Sequence, residues 1–463
     1  MTNVFLFGID GASPDFLFEK WIDDLPTIKR LVQHGCHARM NSTIPPSTIV
    51  AWNSMISGRD TSEIGVFSYT IRDKNGHSRL VDSSDVQCNL MWDILKEHDK
   101  KSIALYVPLS YPVKPINGCM VSDFLTPRID SMCAYPESLR KRLQSVPHPD
   151  FFFDVVAGLA GHKSLDVDTL IKRTYLMTDM QIDLLKDLLV REEWDFFMAV
   201  MIGTDRLQHM LWHHGDEGHR RFVKNSPYKN VLHDYYVYLD KRLGEIIELL
   251  DKDTVVIVAS DHGMVRQEGK ININNWLINE GYLVLNDDVD KTKKQRFDAG
   301  FVDMNKSLAY GGGAYNGRVY INRKKAGKNY TKIVAELTQK LKLIPDDKGK
   351  PLQTFVYYKE DTYTHPNLEE CPDLTVYFDD LRWASNPDLG QEGLYSWETA
   401  VGADSAGHSR QGSFLIAGPG VAARGRIADV NIAQVAPTIL GVLGVPIPSD
   451  IKVNEIKIKS KLR

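Results

Sequence analysis

The run Asp253-Thr254-Val255-Val256-Ile257-Val258-Ala259-Ser260 constrains the fold more than any other stretch. It is short, continuous and rich in β-branched residues, the mark of a strand covered on both faces. It ends in Asp261-His262-Gly263. Two other runs repeat the plan. Val4-Phe5-Leu6-Phe7 leads through Gly8 and Ile9 into Asp10, and Asp195-Phe196-Phe197-Met198-Ala199-Val200-Met201 leads to Gly203-Thr204-Asp205-Arg206-Leu207-Gln208-His209. Open α/β sheets place their ligands outside the carboxyl ends of strands. Asp205 and His209 share one face if helix begins there, and a carboxylate beside an imidazole suits a divalent metal. Taken singly, Asp10 reads equally well as a turn cap, and Asp205 with His209 as a solvated acid and an unrelated histidine. Three strands leading into acids are harder to explain as packing, because charges are rarely buried unpaired.

Helical patterns fill the intervals, over 25–33, 89–97, 166–193, 230–250 and 433–443, with a further strand at 102–107. This alternation predicts an α/β fold with a mainly parallel central sheet and helices on both faces. A chain of 463 residues accommodates one large domain with insertions. We expect a single catalytic domain over 1–463, with about 285–372 forming a smaller insert that shapes the substrate pocket. Within it, Gly311-Gly312-Gly313-Ala314-Tyr315-Asn316-Gly317 is a turn and not a phosphate-cradling loop, because no Gly-Lys-Ser/Thr follows.

One stretch stands out against this frame. In Pro45-Pro46-Ser47-Thr48-Ile49-Val50-Ala51-Trp52 the prolines fix a turn, and a compact apolar helix then runs to a stop at Gly58. Thr48 at the junction reads as an N-cap, a position where unpaired N–H groups favour an anion. It is either a plain cap or a nucleophile. Gly402-Ala403-Asp404-Ser405-Ala406-Gly407-His408 is by itself an ordinary glycine-rich loop.

A net charge of −4 offers no electrostatic case for nucleic acid or an anionic membrane. The basic tail 457–463 reads as a solvated terminus. No apolar run approaches the roughly 18 residues of a membrane span. The five cysteines are odd in number and scattered, as reduced thiols are. A strand that starts almost at Met1 leaves no room for a signal peptide, so a cytoplasmic location is expected.

Taken together and in order, Gly8-Ile9-Asp10-Gly11, the 45–52 stretch, Asp205 with His209, Asp261-His262-Gly263 and Gly407-His408 resemble the alkaline phosphatase superfamily. Within it they are most similar to the type I phosphodiesterase / nucleotide pyrophosphatase family. The resemblance implies an alkaline phosphatase-like three-layer sandwich and two divalent metal ions, usually zinc and sometimes manganese. It assigns Asp10, Thr48, Asp261 and His262 to one ion, and Asp205, His209 and His408 to the other. It implies hydrolysis of a phosphodiester or phosphoanhydride bond in a small phosphate ester, a nucleotide included, through a phospho-threonine at Thr48. The nearest alternative is a phosphomonoesterase or phosphate-transferring mutase; a non-catalytic metal-binding relative is a second. Two departures bear on substrate: the usual His-Gly pair after the nucleophile helix is Ile64-Gly65, and the usual asparagine is Tyr69. Arg206 and Arg410, the cations nearest the motifs, read as solvated or structural.

Overall fold

The computed structural model describes residues 2–72, 78–156, 164–366, 368, 370–397 and 404–458. The start of the glycine-rich loop at Gly402-Ala403 and the basic tail beyond 458 lie outside the described residues. The chain divides into two compact units. The first comprises 1–217, 223–264 and 410–463; the second comprises 218–222 and 265–409 and takes in the whole of 285–372.

The first unit is built on a ten-stranded sheet. From one edge its strands run Gly425–Arg426, Gly35–Asn41, Gln411–Ala417, Thr254–Ala259, Asn3–Ile9, Phe196–Met201, Ser102–Leu105, Gly118–Val121 and Ala134–Tyr135, with Val430–Asn431 also pairing Gly35–Asn41. The centre is parallel: Asn3–Ile9 lies between Phe196–Met201 and Thr254–Ala259, all running the same way. Gln411–Ala417 is antiparallel to both its neighbours, so the sheet is mixed. Successive side chains of a strand face opposite ways, and here each face has its own core. Phe5, Phe7, Phe197, Ala199 and Met201 pack against the helices Pro26–His34, Val167–Arg191 and Val231–Ile247. Val4, Leu6, Phe196, Met198 and Val200 pack against Thr48–Ser57, Met91–Lys96 and Val435–Leu443. The three apolar runs are continuous because both faces are covered, and helices occupy both faces as expected.

The sequence pattern does not mark the strand Gly35–Asn41. Its outward His37 and Arg39 break the apolar run, and it approaches its neighbour so closely that a Cβ on Gly35 would lie 2.1 Å from the Ile416 carbonyl oxygen. The second unit holds a four-stranded antiparallel sheet in the order Ala309–Gly312, Gly317–Ile321, Leu374–Tyr377, Phe355–Tyr358. The helix Tyr330–Lys342 carries a buried stripe, Ile333, Val334, Leu337 and Leu341, that shares a core with Val319, Leu374 and Val376. Among the described residues no helix is long and apolar enough to cross a membrane.

Candidate active site

The carboxyl ends of the three central strands bring the acids together. Asp10 follows Asn3–Ile9, Asp261 follows Thr254–Ala259, and Asp205 stands in the first turn of Gly203–Gly215, the helix after Phe196–Met201. All three are buried. Gly11 adopts φ +69°, where a Cβ is strained, and its N–H donates to Asp261 Oδ1 at 3.3 Å. Trp52 Nε1 donates to Asp10 Oδ2 at 2.8 Å. Trp52 is thus a core residue with one polar anchor.

His262 sits in the middle. Its Nδ1 lies 3.0 Å from the Gly263 carbonyl, which can only accept, so Nδ1 carries the proton. Burial drives its pKa down to about 4, so the ring is neutral and Nε2 carries a lone pair. That lone pair faces Asp261 Oδ2 at 3.1 Å, Asp10 Oδ1 at 3.7 Å and Thr48 Oγ1 at 3.2 Å. Asp10, Asp205 and His262 each offer a ligand atom, all within 4.8 Å of one another. Asp10 Oδ1 and Asp261 Oδ2 are buried and accept no hydrogen bond. Burial pushes both carboxyls well above the usual range, reinforced at Asp10 by the charge of Asp205 and at Asp261 by that of Asp10. Lone pairs converging without donors between them are costly unless a cation stands there. The donor set, carboxylates with a neutral imidazole, fits a borderline divalent ion such as zinc.

Thr48 opens the buried helix Thr48–Ser57, but it is not the N-cap. Ser47 occupies that position with extended backbone, and neither residue caps through its side chain. Thr48 therefore keeps its hydroxyl for other partners, His262 Nε2 and the hydroxyl of Tyr69. Burial raises the Tyr69 phenol, so it stays protonated and can donate. The stop at Gly58 holds, with φ +74°.

His209 lies four residues after Asp205 on the same helix, its Nε2 3.2 Å from Asp205 Oδ2. The other oxygen, Oδ1, accepts from Arg206 Nη1 at 2.9 Å. Arg206 is buried rather than solvated, correcting one of its two sequence readings. Its Nε and Nη2 grip Asp154 at 2.9 and 2.7 Å, and its guanidinium lies over the Phe124 ring. His408 belongs to the second unit, on the strand Ala406–Ser409, buried and stacked on Tyr315 with ring centroids 4.6 Å apart. Two neighbouring histidines have partners of their own: His214 Nδ1 bonds Ser226 Oγ, and His219 Nε2 bonds the Ser405 carbonyl.

The fold is shared with human ectonucleotide pyrophosphatase / phosphodiesterase 5, at 14% identity over 96% of each chain and a TM-score of 0.56. The murine protein of the same name gives 13% identity over 96% of each chain and a TM-score of 0.54. An inactive threonine-to-alanine form of that murine protein, in complex with AMP, gives 13% identity, 97% of this chain, 96% of that one, and 0.56. No curated protein matches the chain in sequence. The pattern of one family, however, spans residues 4–403, from the first strand past Asp261-His262-Gly263 and ending before His408. On that match the chain belongs to the type I phosphodiesterase / nucleotide pyrophosphatase family.

Proposed function

We propose that this protein hydrolyses phosphodiester or phosphoanhydride bonds of a small molecule, of the nucleotide class that the family name denotes, through a covalent phosphate on Thr48. The observation that carries the proposal is the placement of Thr48 Oγ1, 3.2 Å from the His262 lone pair at the edge of a nest of buried carboxylates.

Asp10, Thr48, Asp261 and His262 would hold one divalent ion. The family resemblance assigns the other to Asp205, His209 and His408. When bound, the ions would supply the positive charge that lowers the hydroxyl pKa and offsets charge building on phosphoryl oxygens. The chain's own residues do the rest. The Thr48 oxygen attacks phosphorus in line, the ester bond to the leaving group breaks, and a phospho-threonine remains. Trp52 fixes Asp10, and Gly11 fixes Asp261, so the acids do not reorganise during the step. The opening turn of Thr48–Ser57 presents its dipole to the phosphoryl group. Water then attacks from the side the leaving group vacated, restoring Thr48.

Two measurements test this. Thr48→Ala should fold, melt like the parent, and lose turnover of bis(4-nitrophenyl) phosphate by several orders of magnitude. Metal analysis should find about two divalent ions per chain. Retained turnover would remove Thr48 from its role, and a faster monoester rate than diester rate would move the reading to a phosphomonoesterase.

A further inference from the structure

Arg206 and Asp154 form a buried ion pair beside the site that the mechanism above does not use. The Asp154 side chain is 2% exposed and that of Arg206 is 9% exposed. Three contacts bind them: Nε to Oδ1 at 2.9 Å, Nε to Oδ2 at 3.1 Å and Nη2 to Oδ2 at 2.7 Å. The guanidinium also lies 5.0 Å from the Phe124 ring centroid, so the cation is held on a second side. Its charge reaches Asp10 and Tyr69, and Tyr69 in turn hydrogen-bonds Thr48. A full positive charge thus acts on Tyr69, the partner of Thr48, and is matched by Asp154 and, through Nη1 at 2.9 Å, by Asp205.

Stability is a weak reason for such a pair. Buried ion pairs commonly give no gain over an apolar replacement. A charge effect on the substrate is a better one. Diesters and the internal phosphates of an anhydride carry one negative charge, whereas a monoester carries close to two at neutral pH. A guanidinium free to turn toward the phosphoryl group would favour the doubly charged ester, since arginine grips such oxygens in pairs.

We propose that Asp154 is a specificity-determining residue: it holds the Arg206 guanidinium against Phe124 and off the phosphoryl oxygens, and so biases the Thr48 site toward singly charged diesters and anhydrides over monoesters. This rests on the function proposed above and names its substrate class by charge.

The test uses the metal-loaded full chain, with bis(4-nitrophenyl) phosphate and 4-nitrophenyl phosphate as substrates and inorganic phosphate as inhibitor. Asp154→Asn removes the charged grip on Nε and Nη2 and leaves Nη1 on Asp205 Oδ1 as the pivot. The monoester-to-diester ratio of kcat/KM should rise about tenfold, the worth of roughly 1.4 kcal/mol, and phosphate should inhibit more tightly by a similar factor. The double variant Asp154→Asn with Arg206→Gln should return the ratio to its starting value. If Asp154→Asn lowers both substrates alike, or the gain survives in the double variant, the proposal falls. If Asp154→Asn does not fold, Arg206→Gln alone decides: a guanidinium held off the substrate predicts an unchanged ratio, and a selective monoester loss refutes the proposal. Thr48→Ala separates the two levels. Turnover surviving in Thr48→Ala defeats the mechanism; a flat ratio alongside a dead Thr48→Ala defeats only the role of Asp154.

Discussion

Gly8→Ala is the sharpest probe of how the sheet holds the site. A Cβ at Gly8 would lie 2.6 Å from Trp52 Cη2, 3.0 Å from Cζ3 and 3.1 Å from Val200 Cγ2. The indole is fully buried and has no room to yield without moving its helix. Overpacking of this kind costs about 1–3 kcal/mol. The consequence for activity follows from what Trp52 holds: its Nε1 anchors Asp10 Oδ2, and its helix begins at Thr48. Displacing the ring should therefore loosen Asp10 and Thr48 together. Urea unfolding should show a lower midpoint with an unchanged slope, and kcat for the diester should fall at least tenfold even at temperatures where the variant stays folded. Trp52→Phe on the native background is the control. It keeps most of the packing but strips Asp10 of its donor, costing about 1–3 kcal/mol for the unsatisfied buried oxygen. If Gly8→Ala unfolds at the parent's midpoint and turns over at the parent's rate, the argument that Trp52 ties fold to site is wrong.

Three further outcomes are expected. In the metal-free protein Asp261→Asn should be no less stable than the parent, because it relieves like-charge crowding with Asp10; the parent should gain on zinc addition, about 2.7 kcal/mol at a hundred times Kd, and the variant much less, as read by melting with and without metal. Asp123 is buried, and burial lifts its pKa to about 6 against backbone N–H groups of Leu125 and Ser110 that pull it down. The folded form then binds the proton more tightly than the unfolded form, so its contribution to stability is full below about pH 4 and is lost as pH rises through 6. That loss is on the order of 3 kcal/mol, and the difference between parent and Asp123→Asn urea midpoints at pH 4 and pH 7.5 should report it. Finally, Tyr69→Phe should lower kcat more than it raises KM, since the hydroxyl touches the Thr48 oxygen rather than the body of the substrate; an unchanged kcat would show that the contact does nothing in turnover.

Much of the site was legible because its chemistry is tied to local sequence. A strand covered on both faces must be apolar, and an acid placed at its end is exposed to view by contrast. Asp10, Asp205 and Asp261 were readable on that ground, and His209 and His262 followed from their spacing to an acid already suspected. Thr48 is singled out in sequence for a partly mistaken reason: Pro45 and Pro46 do precede the helix, but its cap is Ser47. That one-residue difference matters, since a capping hydroxyl would already have been spent on backbone N–H groups.

What sequence did not yield is what depends on pairing across the chain. Asp154 and Arg206 are 52 residues apart, and nothing near Asp154 marks it. Arg206 looked ordinary because an arginine beside an acid on a helix is ordinarily in water; only the enclosing Phe124 and Asp154 make it a buried charge. Tyr69 shows in sequence merely as a departure from asparagine, yet its hydroxyl bonds that of Thr48. The same distinction explains the missed strand Gly35–Asn41. It lies nearer the sheet edge, beyond an antiparallel partner, where alternating polar residues are tolerated and the apolar signal is diluted. The candidate acid and histidine cluster and the central strands are therefore written in short words of sequence, whereas the buried pairing of Arg206 with Asp154 is written in contacts between words.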